Sequence, residues 1–275
     1  MQKCSYLLGI PMNHIFPVKN YHEEMDTDSD TDALILKALD QIVNIACDAL
    51  RKTALYLEFD TAWRTMAWGK KNELEQKLRN FKLRYPNVQF VRILIVGEVG
   101  AGKSSFINSV NNAFQKRITS GALVDGIGGT SFTKVYKTHY IAGEDGFPLP
   151  FALSDIMGLE ANQSGAHEKD IVKALHGFLD EGYKFNPAFP VSPNDPGYRS
   201  NPGLHDQTFC LVNVVAADKI SLMNNHVIEK LKKIREAATD LNIPQVVIMT
   251  RPDLACLLVK ENLQKIYTSK KIKEK

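Results

Sequence analysis

At 275 residues, with 44% hydrophobic and 24% charged side chains, the chain has the composition of a soluble globular protein. It is long enough to bury one sizeable core without disulfides or a structural metal. A net charge of +3 is too small to mark a nucleic-acid binder, and Cys4, Cys47, Cys210 and Cys256 form neither a CxxC nor a Cys/His pattern. The cysteines read as reduced thiols of a reducing, cytoplasmic compartment.

Met1–Phe16, broken by Pro11, Asn13 and His14, lacks the apolar core of a signal peptide, and no run of about 18 apolar residues suits a membrane crossing. Leu7-Leu8-Gly9-Ile10-Pro11 reads as a helix end with a glycine cap. His14–Val18 is a candidate short strand, followed by Lys19-Asn20-Tyr21. The acidic run Glu23–Asp32 reads as solvated surface, as does the lysine-rich stretch Lys265–Lys275. Asp30 or Thr31 would cap a long amphipathic helix over Asp32–Lys52. Leu34, Leu36, Leu39, Ile42, Val43, Ala46 and Leu50 are candidates for its buried side. Residues 53–89 read as a linker and lead-in helix, in which Trp63 and Trp68 suit core packing.

Ile93–Val96, inside Val91-Arg92-Ile93-Leu94-Ile95-Val96 and stopped by Gly97, suits a fully buried parallel strand. Further strands are expected over Lys134–Ile141, Leu149–Ser154, Thr208–Ala216 and Gln245–Met249. Helical patterns fall between them at Ser104–Phe114, His167–Leu179 and Ser221–Thr239. Five prolines between Asn186 and Pro202 predict a long irregular loop, mobile or laid over the surface. The alternation predicts an α/β fold: a three-layer P-loop G-domain with a mostly parallel sheet.

Three motifs sit at the ends of these strands. Gly97-Glu98-Val99-Gly100-Ala101-Gly102-Lys103-Ser104 fits GxxxxGK[ST] between a strand and a helix, the context in which backbone amides cradle phosphates. Lys103 would reach the β/γ-phosphates, the Ser104 hydroxyl would ligate Mg²⁺, and Ser105 completes the nucleotide-binding stretch. Asp155-Ile156-Met157-Gly158 is a DxxG in which Asp155 would hold Mg²⁺ through water and Gly158 would sense the γ-phosphate. Thr250-Arg251-Pro252-Asp253 resembles the [N/T]KxD guanine signature, with Arg251 where that signature has Lys. Asp253 would accept from guanine N1 and N2, and a buried carboxylate left unpaired disfavours adenine. The Gly126–Thr133 stretch offers Thr130 and Thr133 as switch I ligands of Mg²⁺, without a choice between them. Both, with Gly158, are the catalytic candidates.

After Asp253 only 22 residues remain, enough for one helix over Leu254–Lys273. The last strand, the guanine-contacting loop with Lys19 and Asn20, and the closing helix would then come from residues 1–52, ahead of the core at 90–275. That order is a circular permutation of a single G-domain. A boundary cut across two tandem copies would give the same order, and an unrelated N-terminal appendage is the third reading.

The lead-in Ala62-Trp63-Arg64…Trp68-Gly69, the stretch VGEVGAGKSSFIN, LPFALSDIMGL and FPVKNYHEE…ALILKAL resemble the interferon-induced protein 44 family of GTP-binding proteins. The order of the last segment departs from that family. The resemblance implies a cytoplasmic, interferon-responsive protein of innate antiviral defence that binds GTP/GDP with Mg²⁺. Ras-like proteins place a water-orienting Gln just after DxxG; here Leu159 stands there, so slow turnover is expected. The readings are a GTP-driven switch or assembly protein, acting through a homodimer or a protein effector, a pseudo-GTPase interaction module, and an ATP-using P-loop enzyme.

Overall fold

The structure, a computed structural model, describes residues 2–8, 11–19, 21, 26–56, 58–118, 122, 134–143, 146–161 and 165–275, excepting the side chains of 4, 5, 8 and 46–56. The chain divides into two compact units, Met1–Ala62 and Trp63–Lys275.

The first unit contains helix α1 (Gln2–Leu8), a 3-10 turn at Met12–His14 and helix α2 (Ser29–Tyr56). α1 ends at Leu8, where the glycine cap was expected; Gly9 and Ile10 lie outside the described residues. The strand expected at His14–Val18 is absent: His14 closes the 3-10 turn and 15–19 form no regular element. Pro17 lacks the N–H that a ladder requires. α2 starts earlier than its expected caps Asp30 and Thr31, because Asp28 does the capping. The Asp28 Oδ2 accepts from the Thr31 backbone N–H at 2.9 Å and from its hydroxyl at 2.8 Å. The Tyr21 hydroxyl fixes this turn, donating to Asp32 Oδ1 at 2.9 Å and accepting from the Asp28 N–H at 2.7 Å. The expected buried side of α2 is open: Leu34, Leu36, Leu39, Ile42 and Val43 are each about half exposed or more. A 28-residue helix carries more apolar face than one short helix and a turn can cover. The side chains of Ala46 and Leu50 lie outside the described residues.

The second unit carries helix α3 (Lys71–Arg79) and then β1 (Val91–Gly97), α4 (Lys103–Gln115), β2 (Lys137–Ala142), β3 (Pro148–Asp155), α5 (Glu168–His176), β4 (Cys210–Ala216), α6 (Asn225–Asp240) and β5 (Gln245–Thr250). The sheet order is β2-β3-β1-β4-β5. β1 pairs in parallel with β3 and β4, β4 in parallel with β5, and β2 runs antiparallel to β3. This is the α/β, mostly parallel arrangement that the alternation of elements predicts. All five described strands come from residues 91–250, so the last strand expected from the N-terminus is not among them.

Period-two alternation sorts the strand side chains onto the two faces. Ile95, Leu153, Val212 and Val214 pack with Ile107 and Phe114 of α4 on one side. Leu94, Val96 and Leu211 pack with Ile171, Leu175, Val227 and Ile234 of α5 and α6 on the other. The proline-rich loop is laid over the unit, and Val191 anchors it in the second cluster. Asp170, fully buried, accepts from the Val191 N–H at 2.8 Å and from the Tyr183 hydroxyl at 2.9 Å. Arg199 adds ion pairs to Asp180 and Asp206, and Tyr198 stacks on Phe178.

The single helix expected over Leu254–Lys273 is instead α7 (Pro252–Ala255), α8 (Leu257–Glu261), a 3-10 stretch at Leu263–Tyr267 and α9 (Lys270–Lys273). Side chains restart the helix after the second and third breaks. Asn262 accepts from the Gln264 N–H at 3.0 Å and Ser269 from the Ile272 N–H at 3.2 Å. Trp63 packs here as anticipated, its ring edge-on to Tyr267 at 5.0 Å and its backbone N–H donating to the Tyr267 carbonyl. Trp68 is 41% exposed.

Candidate functional site

Parallel pairing brings the sequence motifs together at the carboxyl ends of the strands, where open α/β sheets hold their ligands. The β1–β3 register sets Asp155 beside Ile95, two residues before Gly97. From there the Ser104 hydroxyl, in the first turn of α4, donates to Asp155 Oδ2 at 2.8 Å, with both residues buried. A hydroxyl and a carboxylate in one buried pair are the oxygen donors that a Mg²⁺ ion bridging phosphates takes from a protein. The donor set therefore fits Mg²⁺.

Lys103 is 4% exposed, and its Nζ donates to the Glu98 carbonyl at 3.2 Å, folding the ammonium back over the loop. Gly102 ends the loop with φ +94°, a left-handed conformation that favours glycine. A Cβ there would come within 3.3 Å of the Thr250 side chain. Thr250 is stitched to the same loop, its hydroxyl donating to the Ala101 carbonyl at 2.6 Å. The phosphate loop and the Thr250–Asp253 motif thus touch directly, through residues 149 apart.

The third strand's loop is tied to the first by a short backbone ladder. The Leu159 N–H donates to the Gly97 carbonyl at 3.0 Å, and the Val99 N–H donates to the Leu159 carbonyl at 3.0 Å. Gly158 is pressed so close that a Cβ would lie 2.5 Å from Val99 Cγ2 and 2.8 Å from its Cα. The Leu159 side chain is fully buried among apolar neighbours.

At the end of β5, Arg251 adopts φ +54°, ψ +41°, a left-handed conformation uncommon for a side chain with a Cβ. Pro252 opens α7 and leaves Asp253 exposed in its first turn. Arg251 Nη1 lies 4.0 Å from Asp218 Oδ2. Asp218 was not singled out from the sequence. Its Oδ1 is buried without a hydrogen-bond partner. The neighbouring Lys219 faces Glu98, whose carboxyl is pushed up by burial and partly drawn back by Lys219 and Lys103. The signal for both was available in principle: Ala217-Asp218-Lys219 is a charged step just after an apolar parallel strand.

Ser105 is exposed on α4, and Lys19 belongs to the first unit. Asn20, Thr130 and Thr133 lie outside the described residues. The site therefore gathers Lys103, Ser104, Asp155 and Thr250 around the loop, with Gly158 and Leu159 against it and Arg251 and Asp253 at the rim. Among the described residues no helix is long and apolar enough to cross a membrane.

No family model matches the chain. It is 35% identical over 205 residues to interferon-induced protein 44 of Mus musculus, a match covering 74% of this chain and 48% of that protein. Its identity to interferon-induced protein 44 of Homo sapiens is 34% over 206 residues, 74% of this chain and 46% of that protein. Against interferon-induced protein 44-like of Homo sapiens it is 30% over 221 residues, 79% and 49%. The chain spans about half the length of the curated relatives it matches.

Proposed function

Since the chain is a relative of the interferon-induced protein 44 family over about three quarters of its length, we propose that it is a cytoplasmic, interferon-induced protein of innate antiviral defence that binds GTP or GDP with Mg²⁺. The observation that carries the nucleotide reading is the buried Ser104–Asp155 pair beside Lys103, with Thr250 bonded to the same loop. Ser104, and Asp155 through water, would hold Mg²⁺, which would supply neutralisation of the phosphate charge, while Lys103 would face the β/γ-phosphates and the loop amides would orient them. Asp253 reads the guanine edge, and Arg251 covers the base or ribose. Lys19 and Asn20 are the guanine-contacting loop of the permuted reading, with Thr130 or Thr133 as the switch ligand.

Turnover is slow in this reading. Leu159 has no group to orient water, and the segment that carries it is bonded at its backbone to Gly97 and Val99. The same ladder favours a second reading, a pseudo-GTPase module in which nucleotide stabilises an interaction with a copy of itself or an effector.

Calorimetry with GTP, GDP and ATP, with and without Mg²⁺, tests the nucleotide class. The expected result is a guanine preference that Asp253→Asn weakens by roughly tenfold or more, the scale of a lost charge-assisted pair. Equal affinity for ATP would overturn the base-reading role. Phosphate release over hours separates the slow GTPase from the module.

A further inference from the structure

An apolar groove of about 350 Å³ opens between α3 and the end of α4, away from the phosphate loop and unused by the proposed function. Its walls are Met66, Trp68, Leu74, Leu78, Ala113 and Phe114. Leu74 and Leu78 stand one helical turn apart, and with Met66 and Trp68 they are each more than 40% exposed. Isolated exposed apolar side chains are ordinary, but a contiguous concave set marks a contact surface.

The groove is pre-formed. Arg79, on the same helix as Leu74 and Leu78, is 2.8 Å from Glu75 Oε1 and donates to the Phe114 carbonyl at 2.8 Å. Its guanidinium also lies 5.3 Å from the centre of the Phe114 ring. The two walls are therefore locked to each other through side chains that are nearly buried, and an occupant meets a cleft that requires little rearrangement.

Charge selects the occupant. Glu75 is the one carboxylate lining the groove. Arg79, Lys116 and Lys71 all bear on it, the Arg79 hydrogen bond first, and they hold its carboxyl below the usual range. Arg79 is taken up by Glu75 and the Phe114 carbonyl, so it is the exposed Lys71 on the groove wall and the exposed Lys116, 3.9 Å from Glu75, that leave this edge positive. An apolar floor with a cationic rim, walled by two helices, has the complement of an amphipathic helix with apolar residues at i, i+3, i+4 and i+7 and carboxylates beside them.

We propose that this groove docks an amphipathic helix of a partner protein whose polar flank carries Asp and Glu side chains. The concave walls argue against a membrane surface, which takes protruding apolar residues rather than a cleft.

The sequence holds two tryptophans, and Trp63 is packed against Tyr267, so the emission of Trp68 in the full chain reports on the groove. The probe is a synthetic amphipathic peptide of about 18 residues, five helical turns, with Leu on one face and Glu on the other. A companion peptide carries Lys in place of Glu. The Glu peptide is expected to shift Trp68 emission to the blue, with roughly tenfold weaker binding by the Lys peptide and by a Lys71→Glu, Lys116→Glu double variant. Both lysines are exposed, and an unchanged melting curve for the double variant keeps the comparison one of binding. Leu78→Asp should abolish the shift, and Trp68→Phe should remove the signal. Equal affinity for the two peptides, or no shift with either, overturns the proposal. So does a shift produced by phosphatidylserine vesicles when the Glu peptide gives none, which would reassign the groove to a lipid surface.

Discussion

Ser104 and Asp155 come from segments 51 residues apart, and their contact exists only because the parallel register sets the end of β3 beside the end of β1. Each motif was legible from its own strand-turn context, whereas Asp218 and Lys219 announced themselves only as a charged step after a strand. Their importance depends on Arg251 and Glu98, which no local pattern links to them. Ser104→Ala removes a metal-holding hydroxyl, and the expected outcome is a nucleotide affinity that no longer rises with Mg²⁺, read by calorimetry across a magnesium series. Burial of Glu98 raises its folded pKa, so the folded state binds its proton more readily than the unfolded chain does. The destabilisation is then absent below the unfolded carboxylate range, near about pH 4, and grows as pH rises through the folded value. Glu98→Gln should raise the melting temperature at neutral pH, with the gain vanishing in acid. Burial pushes Asp170 up as well, but here two donors depend on the carboxylate and partly draw it back. Asp170→Ala strands the Val191 N–H and the Tyr183 hydroxyl and should cost about 3 kcal/mol, checked by urea unfolding.

Elements whose pattern is satisfied by their immediate neighbours were read closely. β1, β3, β4 and β5 fall within two residues of the apolar runs that announced them, and α4 extends its expected span by one residue at each end. The misreadings occur where a polar side chain decides the outcome. Asp28 starts α2 ahead of two equally plausible caps, and Asn262 and Ser269 divide what composition alone presents as one closing helix. The proline-rich loop shows a third kind of difficulty: its anchor, Val191, is set by a carboxylate on α5 that only the tertiary fold brings near. The Leu159 ladder leads to a prediction at this scale. Because the Leu159 backbone is pinned and its side chain sits in the apolar cluster, Leu159→Gln should not restore a water-orienting group. Burying the amide there should lower stability by about 2 kcal/mol, seen in thermal melts, while phosphate release stays unchanged.

Across the chain, the three-layer unit at Trp63–Lys275 is what the sequence led one to expect, and the N-terminal unit is where expectation and structure part. The sixth strand of the permuted reading rested on His14–Val18, where a proline and a 3-10 turn take the place of a ladder. β5 is consequently the last strand of the sheet among the described residues, paired with β4 on one side. Val246 is 46% and Val247 is 62% exposed along it. An uncovered row of peptide groups flanked by valines templates the addition of further strands, and natural edges usually blunt this with lysine, proline or a bulge. Val247→Lys should therefore lower the light scattering of concentrated samples without shifting the melting temperature by more than a degree or so. The consequence is one of handling: tolerance of high concentration is expected to follow the chemistry of that strand, with light scattering the same whether or not nucleotide is in the buffer.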